Sequence, residues 1–191
     1  MQTDTRPYRS CVRIVIRKGN EVLLGTRYYD DGSLMYYEFP GGGIEKGDSI
    51  VETVKKEAME EVGVVVDNVK SLDLHFVYDI SYTNPVRAKK YRGGEDVWYV
   101  ADYVKHDHSV HGKEGDALPH IWVDVSKAIE MIKKGPASKY NEARLAALTK
   151  VKKLNGSNSN TVLLATEGYK KLKLSDCSQL NDTEDANMIV L

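Results

Sequence analysis

The stretch that most restricts this chain is Gly42 to Val64, GGIEKGDSIVETVKKEAMEEVGV. Glu57, Glu60 and Glu61 stand at i, i+3 and i+4, so on a helix they share one face. Ser49 and Glu52 form an S-x-x-E capping box that predicts the helix start, and Gly63 predicts its left-handed end. At about 100° per residue, Val51, Val54, Ala58 and Val62 fall in one stripe of about 80°, with the three glutamates on its flank. A solvated helix face is the plainer reading of an isolated E-x-x-E-E. Here the glycine turn Gly41-Gly42-Gly43, the cap, the carboxylates and the terminating glycine follow one another in fixed order. Three clustered carboxylates repel one another, and a divalent cation removes that repulsion. Hard oxygen ligands of this kind suit Mg²⁺ or Mn²⁺.

The segment resembles the signature of the Nudix hydrolases, G-x5-E-x7-R-E-U-x-E-E-x-G-U, where U is a bulky aliphatic residue. Gly42, Glu57, Glu60, Glu61, Gly63 and Val64 match it. Asp48 replaces the first glutamate, Lys56 the arginine, and Ala58 is small at a U position. Lysine keeps the charge but loses the planar fork with which the family's arginine orients the first helix glutamate. The resemblance implies an α/β/α sandwich, a mixed β-sheet between helices, over roughly residues 8 to 154. It also implies that Glu57, Glu60 and Glu61 hold the metal together with the Gly41 carbonyl. Lys56 then steadies Glu57, and one of Glu57, Glu61 and Glu114 takes the proton of the attacking water.

Strands and helices arrange themselves around this core motif. Cys11 to Arg17 and Glu21 to Arg27 read as a hairpin about Lys18-Gly19-Asn20. Arg13 faces away from the Val12, Ile14 and Ile16 side, where it either reaches substrate or is solvated; Arg27, at the end of the second strand, joins it as a candidate substrate contact. Met35 to Phe39 reads as a short strand leading into Pro40. Val64 to Val66, Val69 to Ser81 and Asp96 to Val104 read as further strands, with Trp98 and Tyr99 as packing residues. Tyr82 to Glu95 reads as a polar loop carrying Arg87, Lys89, Lys90 and Arg92, which fits a polyphosphate or RNA backbone as well as a solvated tip.

Lys105 to Pro119 reads as a loop. Its His106, His108 and His111 do not have zinc spacing. Glu114, in the string GKEG ahead of HIWVDV, resembles a further metal ligand or base of the family's dNTP-cleaving branch. Val125 to Lys134 and Ser138 to Leu154 read as helices, the second packing through Ala143, Ala146, Ala147 and Val151. Asn155 to Asn160 reads as a linker, and 161 to 191 as an extension too short to fold alone. Its apolar end, Met188 to Leu191, suits a groove cover, a dimer contact or a free tail.

With 27 basic and 28 acidic residues among 191, no global field marks a nucleic-acid or membrane binder. Two cysteines make no disulfide framework, and no apolar run reaches the length of a membrane span. A cytoplasmic protein is the expectation, with a small-molecule nucleotide as substrate and no membrane partner. The reaction implied is Mg²⁺-dependent hydrolysis of a pyrophosphate bond in a nucleoside diphosphate linked to X. The GKEG string favours a nucleoside triphosphate giving monophosphate and pyrophosphate. Tyr82, about 18 residues past the signature, is the residue a dinucleoside polyphosphate hydrolase would use. An RNA 5′-end hydrolase gripping its chain through Arg87 to Arg92 is a less favoured alternative, and a non-catalytic nucleotide sensor is the other. No feature of the sequence speaks to oligomeric state.

Overall fold

The computed structural model describes residues 4–79, 84–107, 118–138, 140–156 and 189–190. Its elements are β1 (Tyr8–Lys18), β2 (Glu21–Tyr28), β3 (Leu34–Glu38), α1 (Ile50–Val62), β4 (Val64–Asp79), α2 (Pro85–Lys90), β5 (Gly93–His106), β6 (His120–Asp124), α3 (Val125–Lys134), α4 (Asn141–Gly156) and β7 (Ile189–Val190). The strands form one mixed sheet in the order β3-β2-β1-β5-β4-β7, with β6 paired to β2. Among the described strands only β1 and β5 pair in parallel. Helices lie on both faces, the expected α/β/α layering.

Strand alternation explains why there are two cores. On β1, Val12, Ile14 and Ile16 point to one face, where they meet Val54, Ala58 and Val62 of α1. Val15 points to the other, among Trp98, Val100 and the buried residues of α3 and α4. No helix among the described residues is long and apolar enough to cross a membrane.

The feature that positions the site is a split in the sheet. β1 pairs with β2 only at Arg17 and Lys18. Beyond that point the strands part, β2 turning to β3 from Gly25 onward. The chain leaving β3 enters the gap and bonds to β1 instead: Val12 N–H donates to Gly42 O and Ile14 N–H to Pro40 O, both at 2.9 Å, and Ile44 N–H donates to Ser10 O at 3.0 Å. The glycine turn is thereby laid along β1 as an irregular strand.

Several expectations need correction. Val51 is 45% exposed, so the buried stripe of α1 is Thr53, Val54, Ala58 and Val62. Residues 64–79 make one strand rather than two, because Asn68 and Asp73 adopt left-handed φ values of 51° and 48° and absorb the kinks as bulges. The region read as a polar loop from Tyr82 contains α2, capped by the Asn84 side chain accepting from Val86 N–H and Arg87 N–H. Lys105 and His106 belong to β5. Helix α4 runs to Gly156, two residues into the stretch read as linker; the Asn155 side chain there accepts from Arg17 Nη1 at 2.8 Å and donates to Gly19 O at 3.1 Å. β7 adds Ile189 and Val190 to the edge of β4, opposite Val77 and Phe76.

Candidate active site

Helix α1 has both of its expected stops. Ser49 accepts from Glu52 N–H at 3.2 Å, Glu52 accepts from Ser49 N–H at 2.9 Å, and Gly63 closes the helix at φ 62°. The Ala58 stripe presses this helix on β1, which turns Glu57 and Glu61 toward the glycine turn in the sheet gap. A Cβ on Gly42 would overlap the Glu57 carboxylate. Only glycine lets that carboxylate lie against the backbone. Glu61 Oε2 accepts Gly41 N–H at 2.8 Å.

Both acids are half-buried. Burial first, and then repulsion from Glu60, raises the Glu57 carboxyl above its ordinary value, against the pull of Lys56, Arg9 and Arg13. Burial pushes Glu61 up to about 7; the Gly41 N–H opposes this and the Glu57 charge adds to it. Glu60 is exposed, one turn away, and Lys56 is exposed beside it. Among the described residues no three His, Cys, Asp or Glu side chains converge on one point in this conformation. The pair Glu57 and Glu61, with the Gly41 carbonyl, is nonetheless an all-oxygen, mutually repelling set whose chemistry fits a hard divalent cation.

The opposite wall is cationic. Arg13 pairs through Nε with Asp96 at 2.9 Å, and Asp96, 4% exposed, also accepts from the Tyr78 hydroxyl at 3.3 Å. Arg13 Nη1 reaches Gly41 O at a long 3.5 Å. Arg13 is therefore neither free in solvent nor unpartnered: it stands over the turn that Glu61 holds from the other side. Arg27 ion-pairs with Glu38 across β2 and β3, which ties it to the sheet edge. Tyr82 and Glu114 lie outside the described residues, as do His108 and His111. His106 stacks on His120 at 5.9 Å.

Two residues near the site escaped the sequence reading. A Cβ on Gly43 would overlap the guanidinium of Arg9, which also acts on Glu57. Arg144 is 6% exposed in the first turn of α4. Its signal was available only as a charge interrupting the stripe of Ala143, Ala147 and Val151.

A family model described as NUDIX domain matches residues 7–145. The chain belongs to the NUDIX family. Membership makes it a hydrolase acting on pyrophosphate bonds. It is similar to the RNA pyrophosphohydrolase of Roseobacter denitrificans, 30% identical over 116 residues, which are 58% of this chain and 67% of that one. The RNA pyrophosphohydrolase of Sphingopyxis alaskensis is 25% identical over 137 residues, 68% and 85% of the two chains. Among solved structures, an ADP compounds hydrolase superposes with a TM-score of 0.58 at 23% identity, covering 81% of this NUDIX chain and 77% of its own. That likeness speaks for the fold.

Proposed function

We propose that this NUDIX hydrolase cleaves the pyrophosphate bond at the 5′-polyphosphate end of RNA in the cytoplasm, using Mg²⁺ or Mn²⁺. The observation that carries the reaction is the pair of half-buried carboxylates, Glu57 and Glu61, laid against Gly42 and Gly41. Glu57, Glu61 and the Gly41 carbonyl would hold the cation, and the exposed Glu60 would join them by a change of rotamer. When bound, such an ion neutralises phosphate oxygens and lowers the pKa of a water molecule. Glu61 is placed to take the proton of the attacking water; burial holds its carboxyl at about 7 without metal, and a bound cation would draw it down so that it is ionised near neutral pH. Arg13, kept charged by Asp96, faces the same turn and is positioned for the substrate's phosphate charge. Lys56 acts on Glu57 as a point charge.

What supports RNA over a free nucleotide is the basic helix α2. Arg87, Lys89 and Lys90 are exposed, and among the described residues none forms an ion pair. Lys90 lies within electrostatic reach of Glu45 in the turn and of Arg9. A polynucleotide leaving the carboxylates would cross this helix. The names of the bacterial relatives agree with it. The free nucleoside triphosphate reading rests on Glu114, outside the described residues.

The test is a panel of 5′-triphosphorylated RNA, nucleoside triphosphates, dinucleoside polyphosphates and ADP compounds with Mg²⁺, scored for phosphate, pyrophosphate and monophosphate. RNA should give the highest kcat/KM, with a KM that rises steeply with salt. A salt-independent KM, or a free nucleotide preferred over RNA, overturns the RNA assignment. Nucleotide binding with no product from any substrate overturns the hydrolase and leaves a sensor.

A further inference from the structure

A buried arginine with no ion-pair partner among the described residues stands beside the proposed hydrolytic site. Arg144 is 6% exposed, yet no described carboxylate forms an ion pair with it. Its Nη1 donates to two neutral oxygens, Ser138 Oγ and Asn141 Oδ1, both at 3.1 Å. Nε and Nη2 donate to no described residue. The guanidinium lies 5.2 Å from the Tyr36 ring centre and 5.5 Å from that of Tyr140. Burial drives its pKa down to about 10. A charge desolvated to this degree, with part of its donor fork unused, is costly to the fold, and such residues gather where ligands bind.

The place of this arginine is tied to the catalytic wall. Tyr140 packs edge-on against Tyr78 at 5.0 Å, Tyr78 donates to Asp96, and Asp96 holds Arg13 over Gly41. Glu38 and Arg13 act electrostatically on Arg144 and on Glu61 alike. Tyr36 precedes the glycine turn by only a few residues of β3.

We propose that Arg144, set between Tyr36 and Tyr140, reads a nucleobase of the substrate and selects one with two adjacent acceptors, the O6 and N7 of guanine or hypoxanthine. The proposal rests on the reading that the polyphosphate lies at Glu57 and Glu61. A phosphate is the poorer occupant: the Glu38 carboxylate acts on Arg144 from nearby, and the flanking groups are aromatic faces rather than amide donors or lysines. Aromatic faces stack bases, and a planar fork pairs with O6 and N7. Adenine offers N7 beside an amino donor, which a guanidinium repels.

The experiment measures binding of α,β-methylene nucleoside triphosphates carrying guanine, hypoxanthine, 7-deazaguanine, adenine or cytosine, with Mg²⁺, by titration calorimetry. Guanine and hypoxanthine should bind about 5- to 150-fold more tightly than 7-deazaguanine and adenine. Arg144→Gln should remove that ratio, and Tyr36→Leu should weaken every base together. The base series on the unaltered protein decides the matter where Arg144→Gln does not fold. Equal affinity for guanine and 7-deazaguanine, preference for cytosine, or an Arg144→Gln loss that is uniform across bases overturns the proposal. A base preference that survives while no substrate is hydrolysed sinks the hydrolase reading and leaves this one standing.

Discussion

The two walls of the site are built in opposite ways. The acidic wall comes from five consecutive residues of one helix, 57 to 61, whose mutual placement is fixed by helical geometry before any tertiary contact forms. The cationic wall is assembled from β1, β5 and α4, through Arg13, Asp96 and Arg144, and exists only once the sheet and its second helical layer have closed. On the proposed reading the first wall carries hydrolysis and the second carries orientation. The acidic wall should therefore be sensitive to chemistry and robust in fold, and the cationic wall the reverse.

Substitutions sharpen this contrast in order of effect. Glu57→Gln and Glu61→Gln should each lower kcat by about 10²–10⁴-fold at saturating Mg²⁺ with the circular dichroism spectrum unchanged. Rates within tenfold of the parent would break the assignment of chemistry to α1. Asp96→Asn should behave oppositely, destabilising by about 2–3 kcal/mol in urea because the partly buried Arg13 loses the carboxylate it ion-pairs with. A stable Asp96→Asn protein would show that the cationic wall is not structural.

A pH series on the metal-free protein comes next. Folded Glu61 keeps its proton up to about 7, above its ordinary value of 4.5, so the folded state holds more protons than the unfolded between those values. Stability from this group is therefore intact below pH 4.5, falls as pH rises through 7 and is wholly lost above. With a chelator present, Glu61→Gln should match the parent at pH 4 and exceed it by about 2 kcal/mol at pH 8. Equal stability at pH 8 would place Glu61 in water. Ser49→Ala should have the smallest effect, about 1 kcal/mol of stability from the lost cap, with kcat unaltered.

Legibility in the sequence followed the same division. Helix α1, its caps and its acid trio were readable because every determinant lies within about four residues of its partner. Val51 was misplaced because periodicity gives direction around a helix but not how far the sheet extends beneath its first turn. Helix α2 was missed, although Asn84-Pro85 is a sound start signal, because the helix is only six residues long and carries no apolar stripe. Arg144 was invisible for a different reason. A charged residue among alanines on a helix reads as a boundary between faces, and only packing shows that its head lies against Tyr36 and Tyr140. The pairing of Arg13 with Asp96 spans 83 positions, beyond any local rule.

The seam where the glycine segment lies along β1 also decides which way the Gly41 carbonyl faces. Extended backbone turns successive carbonyls to opposite sides, so with those of Pro40 and Gly42 committed to β1, the one between them must look the other way. Odd and even positions thus have fixed assignments here, one set fastening the loop to β1 and the other turned to Arg13. Inserting or deleting a single residue between Phe39 and Gly42 would exchange them, and a change of two would not.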